Sequence, residues 1–211
     1  MNKKTLLFDF DGVIISSFDI SYATMKESGL FSRSQDEYRR FFDGNFYEQE
    51  GILKGTNKDG AEDLQEMKET FFSKYTSKIL EKGLAPGMKE MLEELSNDYR
   101  MVVVSSTVND SIKSYLQNYD IDQHFEKIYG ADVHLDKAVK TQMVFDDYGV
   151  TSPDCLFITD TLGDMREAAK KDVQCVGVTW GFHKPETLRK GNPVAIVDTV
   201  EELKAVIKRE L

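Results

Sequence analysis

Two aspartates one residue apart, Asp9 and Asp11, lie near the end of an apolar run in "LLFDFDGVII", residues 6–15. Asp-Gly is ordinary turn chemistry, so a strand followed by a turn accounts for this pair on its own. Two further apolar runs also end in polar groups. "VVVSST" closes on Ser105, Ser106 and Thr107, and "LFITDTLGD" carries Asp160 and Asp164. Lys137 stands at the start of a helical segment that precedes the latter run. Each of these has a plain structural explanation. A hydroxyl after a strand usually caps a helix, and "TVND" offers Asn109 and Asp110 as caps. A lysine at a helix start is normally solvated and slightly opposed to the dipole. Gathered on one edge of one sheet, the same residues form a set that suits phosphoryl transfer.

A carboxylate can attack phosphorus to give an aspartyl-phosphate, which water then hydrolyses. An anionic nucleophile approaching an anionic phosphate needs charge neutralisation. Magnesium meets that need, being a hard ion held by a few carboxylate or carbonyl oxygens plus water. Asp9 and Asp160 are the direct ligands in this scheme, with Asp164 fixing the shell through water or hydrogen bonds. Ser105, with Ser106 beside it, binds the phosphoryl oxygens, and Lys137 offsets the charge on Asp9 and phosphate. A second acid must protonate the leaving oxygen and later take a proton from water, and Asp11 is the candidate.

The elements that must position these groups show in the hydrophobic pattern. Apolar runs at Thr5–Phe10, Met101–Ser105, Lys127–Tyr129, Cys155–Thr159, Cys175–Thr179 and Ala195–Val197 read as strands. Between them lie helical faces, such as Met88, Met91, Leu92 and Leu95. This alternation predicts an α/β fold, a doubly wound parallel sheet covered on both faces, with ligands beyond the carboxyl ends of the strands. One connection is far longer than the rest. Residues 16–83 contain no proline, show helical periodicity and are rich in aromatics: Phe41, Phe42, Phe46, Tyr47, Phe71, Phe72 and Tyr75. A structureless loop of that length is improbable, so the segment is expected to be a small all-helical domain. Residues 1–15 and 84–211 then form the α/β core, with Ser16-Ser17 and "GLAPG", residues 83–87, as hinges. The aromatics of residues 16–83 read as core, and the cations Arg39, Arg40, Lys54 and Lys58 of that segment as a solvated face.

Bulk properties narrow the partners. The chain has 211 residues, is 40% hydrophobic and 30% charged, and carries a net charge of -10. That balance suits a globular protein and opposes binding to nucleic acid, which needs a basic face. A small phosphorylated metabolite remains compatible, because a local cation dominates the field at one site. No membrane span or signal peptide is legible, so the cytoplasm is the expected compartment. Cys155 and Cys175 read as buried thiols, and His124, His134 and His183 form no zinc-like cluster. Oligomeric state leaves no readable mark.

"DFDGV", the run ending in Ser105, Lys137 and "TDTLGD", in that order, resemble the four motifs of the haloacid dehalogenase superfamily. The insertion after "DFDG" is similar to that superfamily's helical cap. "LAPGMKEMLEEL" and "VGVTWGF…ETL" resemble the phosphoglycolate phosphatase-like branch. The resemblance implies Asp9 as nucleophile and Mg2+ ligand, and Asp11 as acid/base with its carbonyl on the metal. It implies Ser105 as phosphate binder, Lys137 as stabilising cation, and Asp160 and Asp164 as the acidic metal motif. Two positions depart from the pattern. The branch often has Lys-Pro at the third motif, whereas "LDKAVKTQ" lets Lys137 and Lys140 compete; Lys137 is preferred because Lys140 falls a turn inside the helix. Thr159 stands where many members have glycine. Within the superfamily, Asp11 separates a phosphatase from dehalogenases, but a phosphomutase resembling beta-phosphoglucomutase keeps both aspartates. From another class, a non-catalytic phospho-acceptor or binding module shares the strand-end acids, although the large insertion argues against a compact receiver.

Overall fold

The structure is a computed structural model that describes residues 3–45 and 61–211, with side chains in the second stretch described from residue 70 onward. Among the described residues six strands run parallel: β1 (Thr5–Phe8), β2 (Arg100–Val104), β3 (Lys127–Tyr129), β4 (Cys155–Thr159), β5 (Gln174–Val178) and β6 (Ala195–Val197). Their spatial order is β3-β2-β1-β4-β5-β6. The expected run Thr5–Phe10 is thus two residues longer than β1, although the Asp9 N–H still bonds to β4 before the chain turns.

Successive side chains of a strand point to opposite faces, so a strand covered on both sides must be apolar throughout. β1 shows this directly, with Leu6, Leu7 and Phe8 all fully buried. Leu6 and Phe8 pack in one cluster with Met101, Val103, Leu156 and Ile158. Leu7 packs in the other with Val102, Val104 and Phe157. Helices α4 (Met88–Leu95), α5 (Asn109–Asn118) and α9 (Val200–Glu210) cover the first face, and α6 (Lys137–Tyr148), α7 (Leu162–Ala169) and α8 (Pro185–Leu188) the second. The periodic set Met88, Met91, Leu92 and Leu95 is entirely buried, as its spacing requires. Truncating one such residue, Leu92→Ala, leaves a cavity costing about 2–5 kcal/mol.

Between β1 and β2 lie α1 (Phe18–Glu27), α2 (Gln35–Arg40) and α3 (Ala61–Leu80). α2 starts with a capping box in which Ser34 and Glu37 satisfy each other's backbone N–H groups. Phe18, Met25, Phe31, Tyr38 and Phe41 form a separate small core with Phe182, which follows β5. The chain enters and leaves the insertion side by side, since Ile15 pairs antiparallel with Leu84. Phe46, Tyr47, Lys54 and Lys58 lie outside the described residues. Cys155 and Cys175 are buried free thiols on adjacent strands. No helix among the described residues is long and apolar enough to cross a membrane.

Candidate active site

The strand order reverses direction between β1 and β4, and at such a switch point the connections diverge and leave a crevice at the carboxyl edge. Register places the two leading acids there. Phe8 pairs with Ile158, and the Asp9 N–H donates to the Ile158 carbonyl at 2.9 Å. Asp9 follows β1 and Asp160 follows β4, so two carboxylates 151 positions apart in sequence stand side by side. Asp164 joins them from the first turn of α7, whose start is capped when the Asp164 N–H donates to Thr161 Oγ1.

Lys137 is the counter-charge. It is the first residue of α6, where Asp136 caps the helix by accepting from the Ala138 and Val139 N–H groups. Its Nζ lies 2.9 Å from Asp9 Oδ2 and 2.8 Å from Asp164 Oδ2. It is only 3% exposed, so the expectation of a solvated helix-start lysine does not apply. Asp164 Oδ2 also accepts from Thr159 Oγ1 at 2.7 Å. Thr159 is thus part of the site: its hydroxyl reaches Asp164, which a glycine in that place has no means to do.

Burial and charge pull these groups apart. Burial pushes Asp9 well above the usual carboxylate range, with Lys137 opposing it. Burial likewise raises Asp160, to about 8. Asp164 resists burial because the Lys137 charge and its hydrogen bonds hold it low. Lys137 is held above the usual ammonium range, as Asp164 and Asp9 outweigh burial.

Asp11 sits at the mouth of the crevice, held by hydroxyls from three directions. Ser17 Oγ donates to its Oδ1 at 2.8 Å, Thr107 Oγ1 to its Oδ2 at 2.6 Å, and the Tyr75 hydroxyl reaches Oδ1 from the insertion. Ser105 is buried across the crevice. Its Oγ accepts from the Thr107 N–H at 3.1 Å, leaving its own proton to donate. Lys140 does not compete for the acids. It is fully buried, its Nζ donates to the Ser105 carbonyl at 2.6 Å, and burial lowers it to about 8. "TVND" does not cap as expected either: α5 starts at Asn109 after Val108, and Asn109 Oδ1 accepts instead from the Gly130 N–H.

These groups open into one cavity of about 90 Å³ that Asp9, Asp11, Ser105, Ser106, Lys137 and Asp164 line. The opposite wall was not legible as such. Tyr38, Phe42, Phe71, Phe72 and Tyr75 of the insertion, expected in part as core, line the same cavity with Phe182. From "TWGFHKPE" it is Phe182 that reaches the cavity; Trp180 donates to the Val13 carbonyl, and buried His183 accepts from the Leu162 N–H. Arg39 and Arg40 lie instead beside an outer cleft with Asp36 and Asp43. Glu167 is a further lining acid, bonded to Asn45 Nδ2 at 2.6 Å and to the Lys137 N–H. An i, i+3 partner of Asp164 on one helix face was the available signal.

Carboxylate oxygens of Asp9, Asp160 and Asp164 all lie within 4.8 Å of one another. Asp160 Oδ2 accepts from the Phe182 N–H at 2.7 Å, while its Oδ1 is buried without a hydrogen-bond partner. Such an orphan acceptor is costly unless something electropositive meets it. A Cβ at Gly12 or at Gly181 would overlap the Asp160 carboxylate, so both glycines are needed for the backbone to close around it. An all-oxygen donor set of this kind fits a hard divalent cation.

The same arrangement links the chain to known proteins. The profile of the family described as haloacid dehalogenase-like hydrolase matches residues 6–178. A phosphoglycolate phosphatase from Nitrosococcus oceani is 24% identical over 98% of this chain and 97% of its own. A 5'-nucleotidase from Pseudomonas aeruginosa is 25% identical over 62% of this chain, which spans 61% of that relative's length. Among solved structures, a haloacid dehalogenase-like family hydrolase from Streptococcus pneumoniae superposes with a TM-score of 0.78 at 25% identity, covering 97% of this chain and 98% of that one. Because the profile covers residues 6–178, most of the chain, with Asp9, Ser105, Lys137 and Asp160 among them, the chain belongs to the haloacid dehalogenase-like hydrolases.

Proposed function

We propose that the chain is a magnesium-dependent phosphatase that hydrolyses small phosphomonoesters through an aspartyl-phosphate on Asp9. The observation that carries this reading is Lys137, buried and bridging Asp9 and Asp164 at 2.9 and 2.8 Å on the floor of a cavity. A fixed cation there serves a nucleophilic carboxylate that must approach an anionic phosphoryl group. Asp9, Asp160, Asp164 and the Asp11 carbonyl would hold Mg2+, which supplies charge neutralisation at the phosphoryl oxygens.

In the first half-reaction an Asp9 oxygen attacks phosphorus and the bond to the alcohol oxygen breaks. Asp11 delivers the proton that the departing oxygen requires. Ser105 Oγ donates to a phosphoryl oxygen, with Ser106 beside it, and Lys137 balances the charge. In the second half-reaction Asp11 takes a proton from water, which attacks the phosphorus and releases Asp9. The hydroxyls of Ser17, Thr107 and Tyr75 hold Asp11 facing the cavity throughout.

Residues 16–83 act in this reading as a cap over the core, hinged at Ser16-Ser17 and at residues 83–87. The Ile15–Leu84 pairing supports it by bringing both connections together. The two free buried thiols suit a cytoplasmic setting. The test is phosphate release from a panel of small phosphomonoesters with magnesium, repeated in EDTA. Turnover that needs magnesium supports the reading, and full turnover in EDTA refutes the metal assignment.

A further inference from the structure

The wall facing the acids carries information about what the phosphate is attached to. Phe71 stacks on Tyr75 with centroids 5.3 Å apart and planes 10° from parallel, and Phe72 meets Phe71 edge-on at 5.3 Å. Phe42 meets Phe182 edge-on at 4.6 Å, which ties the insertion's side of this wall to the core's. Among the described residues the polar groups on that side are neutral, and they are engaged. Tyr38 and Ser21 share a hydroxyl–hydroxyl bond of 2.7 Å, and the Tyr75 hydroxyl is bound to Asp11.

Charge on the lining is just as one-sided. Among the described lining residues Lys137 is the one cation, and its ammonium already serves Asp9 and Asp164. Four carboxyl groups face the same space, namely Asp9, Asp11, Asp164 and Glu167. Arg39 lies off this wall, its guanidinium 3.5 Å over the Phe18 ring and beside the outer cleft. A second anion on the substrate would meet aromatic faces and carboxylates with no described counter-charge, a desolvation cost without compensation. An aromatic ring would gain burial and offset or edge-on stacking from the same wall.

We infer that the site takes phosphomonoesters whose alcohol is uncharged and carries an aromatic body, in preference to esters bearing a second carboxylate or phosphate. This rests on the phosphatase reading of the acids and lysine below. Phe42, Phe72 and Phe182 are the specificity-determining residues, and they act on the alcohol portion alone.

The test compares phosphate release from benzyl phosphate, ethyl phosphate and 2-phosphoglycolate with magnesium present. All three place phosphorus on a primary alkoxide, so a ring effect is not a leaving-group effect. Benzyl phosphate should have the highest kcat/KM, exceeding phosphoglycolate by at least about 10-fold. Phe72→Ala should lower the benzyl-to-ethyl ratio of kcat/KM by about 10-fold, a ratio that partial misfolding does not change. Phosphoglycolate at or above benzyl phosphate, or an unchanged ratio in Phe72→Ala, overturns the substrate class while the phosphatase reading stands. No phosphate from any ester at any magnesium concentration overturns the phosphatase reading, and the class with it.

Discussion

The floor and the wall of the cavity are built by opposite means. On the floor, three carboxylates lie within metal-ligand reach of one another, Lys137 pairs with two of them, and Asp160 Oδ1 alone among the buried oxygens of the acid triad lacks a partner. On the wall, aromatic rings pack edge-on or stacked, and the hydroxyls present bond to each other or to Asp11. Preorganised charge is what a reaction with developing negative charge requires, whereas an apolar wall discriminates among substrates by shape and desolvation. The floor comes from strand ends of a rigid sheet, and most of the wall from the insertion. Chemistry and selectivity can therefore vary separately in one chain.

Substitutions on the floor should break the comparison hardest. Asp9→Asn removes the proposed nucleophile and should lower kcat by on the order of 10⁵ or more on every substrate, measured by phosphate release. If a residual rate within about 100-fold of the parent survives, Asp9 is not the nucleophile. Lys137→Ala should come next, with a loss of about 10²–10³ in kcat. It should also cost about 3–5 kcal/mol of stability in thermal or urea unfolding, because Asp9 and Asp164 are left buried without their cation. Lys140→Ala serves as the control, although it is not a silent one. It orphans the buried Ser105 carbonyl, so about 1–3 kcal/mol of stability should be lost, with a smaller rate effect than Lys137→Ala.

The floor should also respond to pH. Burial raises Asp160 to about 8, so between roughly 4 and 8 the folded chain keeps a proton that the unfolded chain has lost. Stability of the metal-free protein must then fall as pH rises through that window, and Asp9 acts in the same direction. Asp164 is held low and loses its contribution only as pH falls below the ordinary carboxylate range. Burial lowers His183 from 6.5, which adds stability as pH rises toward 6.5, so the comparison starts there. From pH 6.5 to 8.5 in EDTA the Tm should drop, partly offset above about pH 7.5 because Lys140, lowered by burial to about 8, adds stability as it loses its proton in the folded chain. Asp160→Asn should flatten that drop and raise the Tm at pH 8.5 by at least about 2–4 °C, the shift of ~1 kcal/mol in a chain of this size. Magnesium binding needs the carboxylates deprotonated, so its Tm increment should grow over the same range. An increment that shrinks with pH would place the ion elsewhere.

The smallest effect expected is at the seam between the two regions. Tyr75→Phe keeps the stack on Phe71 and removes only the hydroxyl that reaches Asp11. Since Ser17 and Thr107 still hold Asp11, kcat should fall by about 3- to 10-fold, the worth of one hydrogen bond, with KM little changed. A loss as large as that of Lys137→Ala would move Tyr75 from positioning Asp11 to the chemistry itself.

Much of the floor was legible along the chain because its order is local. Asp9 and Asp11 follow a run that must be a buried strand, and Lys137 follows Asp136, a strong helix cap. Asp160 and Asp164 straddle a strand end and a helix's first turn, where the polypeptide has only one way to go. Thr159, which reads as a departure from the family pattern, was legible as a residue but not as a partner, since its hydroxyl gains a role only once Asp164 folds back over it. The wall was less legible. Helical periodicity identifies an apolar face without saying which neighbour it meets, so Phe42, Phe71 and Phe72 read as core when they line the cavity. Lys140 shows the same limit, since nothing in "DKAVK" tells a buried lysine on a carbonyl from one beside the acids.

The sequence by itself determined the strands, the helices that cover them and the kinds of groups at the strand ends. Each of these follows from periodicity, caps and the cost of burying polar backbone, which act over a few residues at a time. Only the tertiary structure decided that β1 lies against β4, which sets Asp9 beside Asp160, and that Lys137 rather than Lys140 bridges the acids. It also decided that Tyr75 reaches Asp11 across 64 positions of chain. Those pairings join segments far apart in sequence, and their selection comes from the packing of the whole sheet and its insertion, an energy that no short window of residues contains.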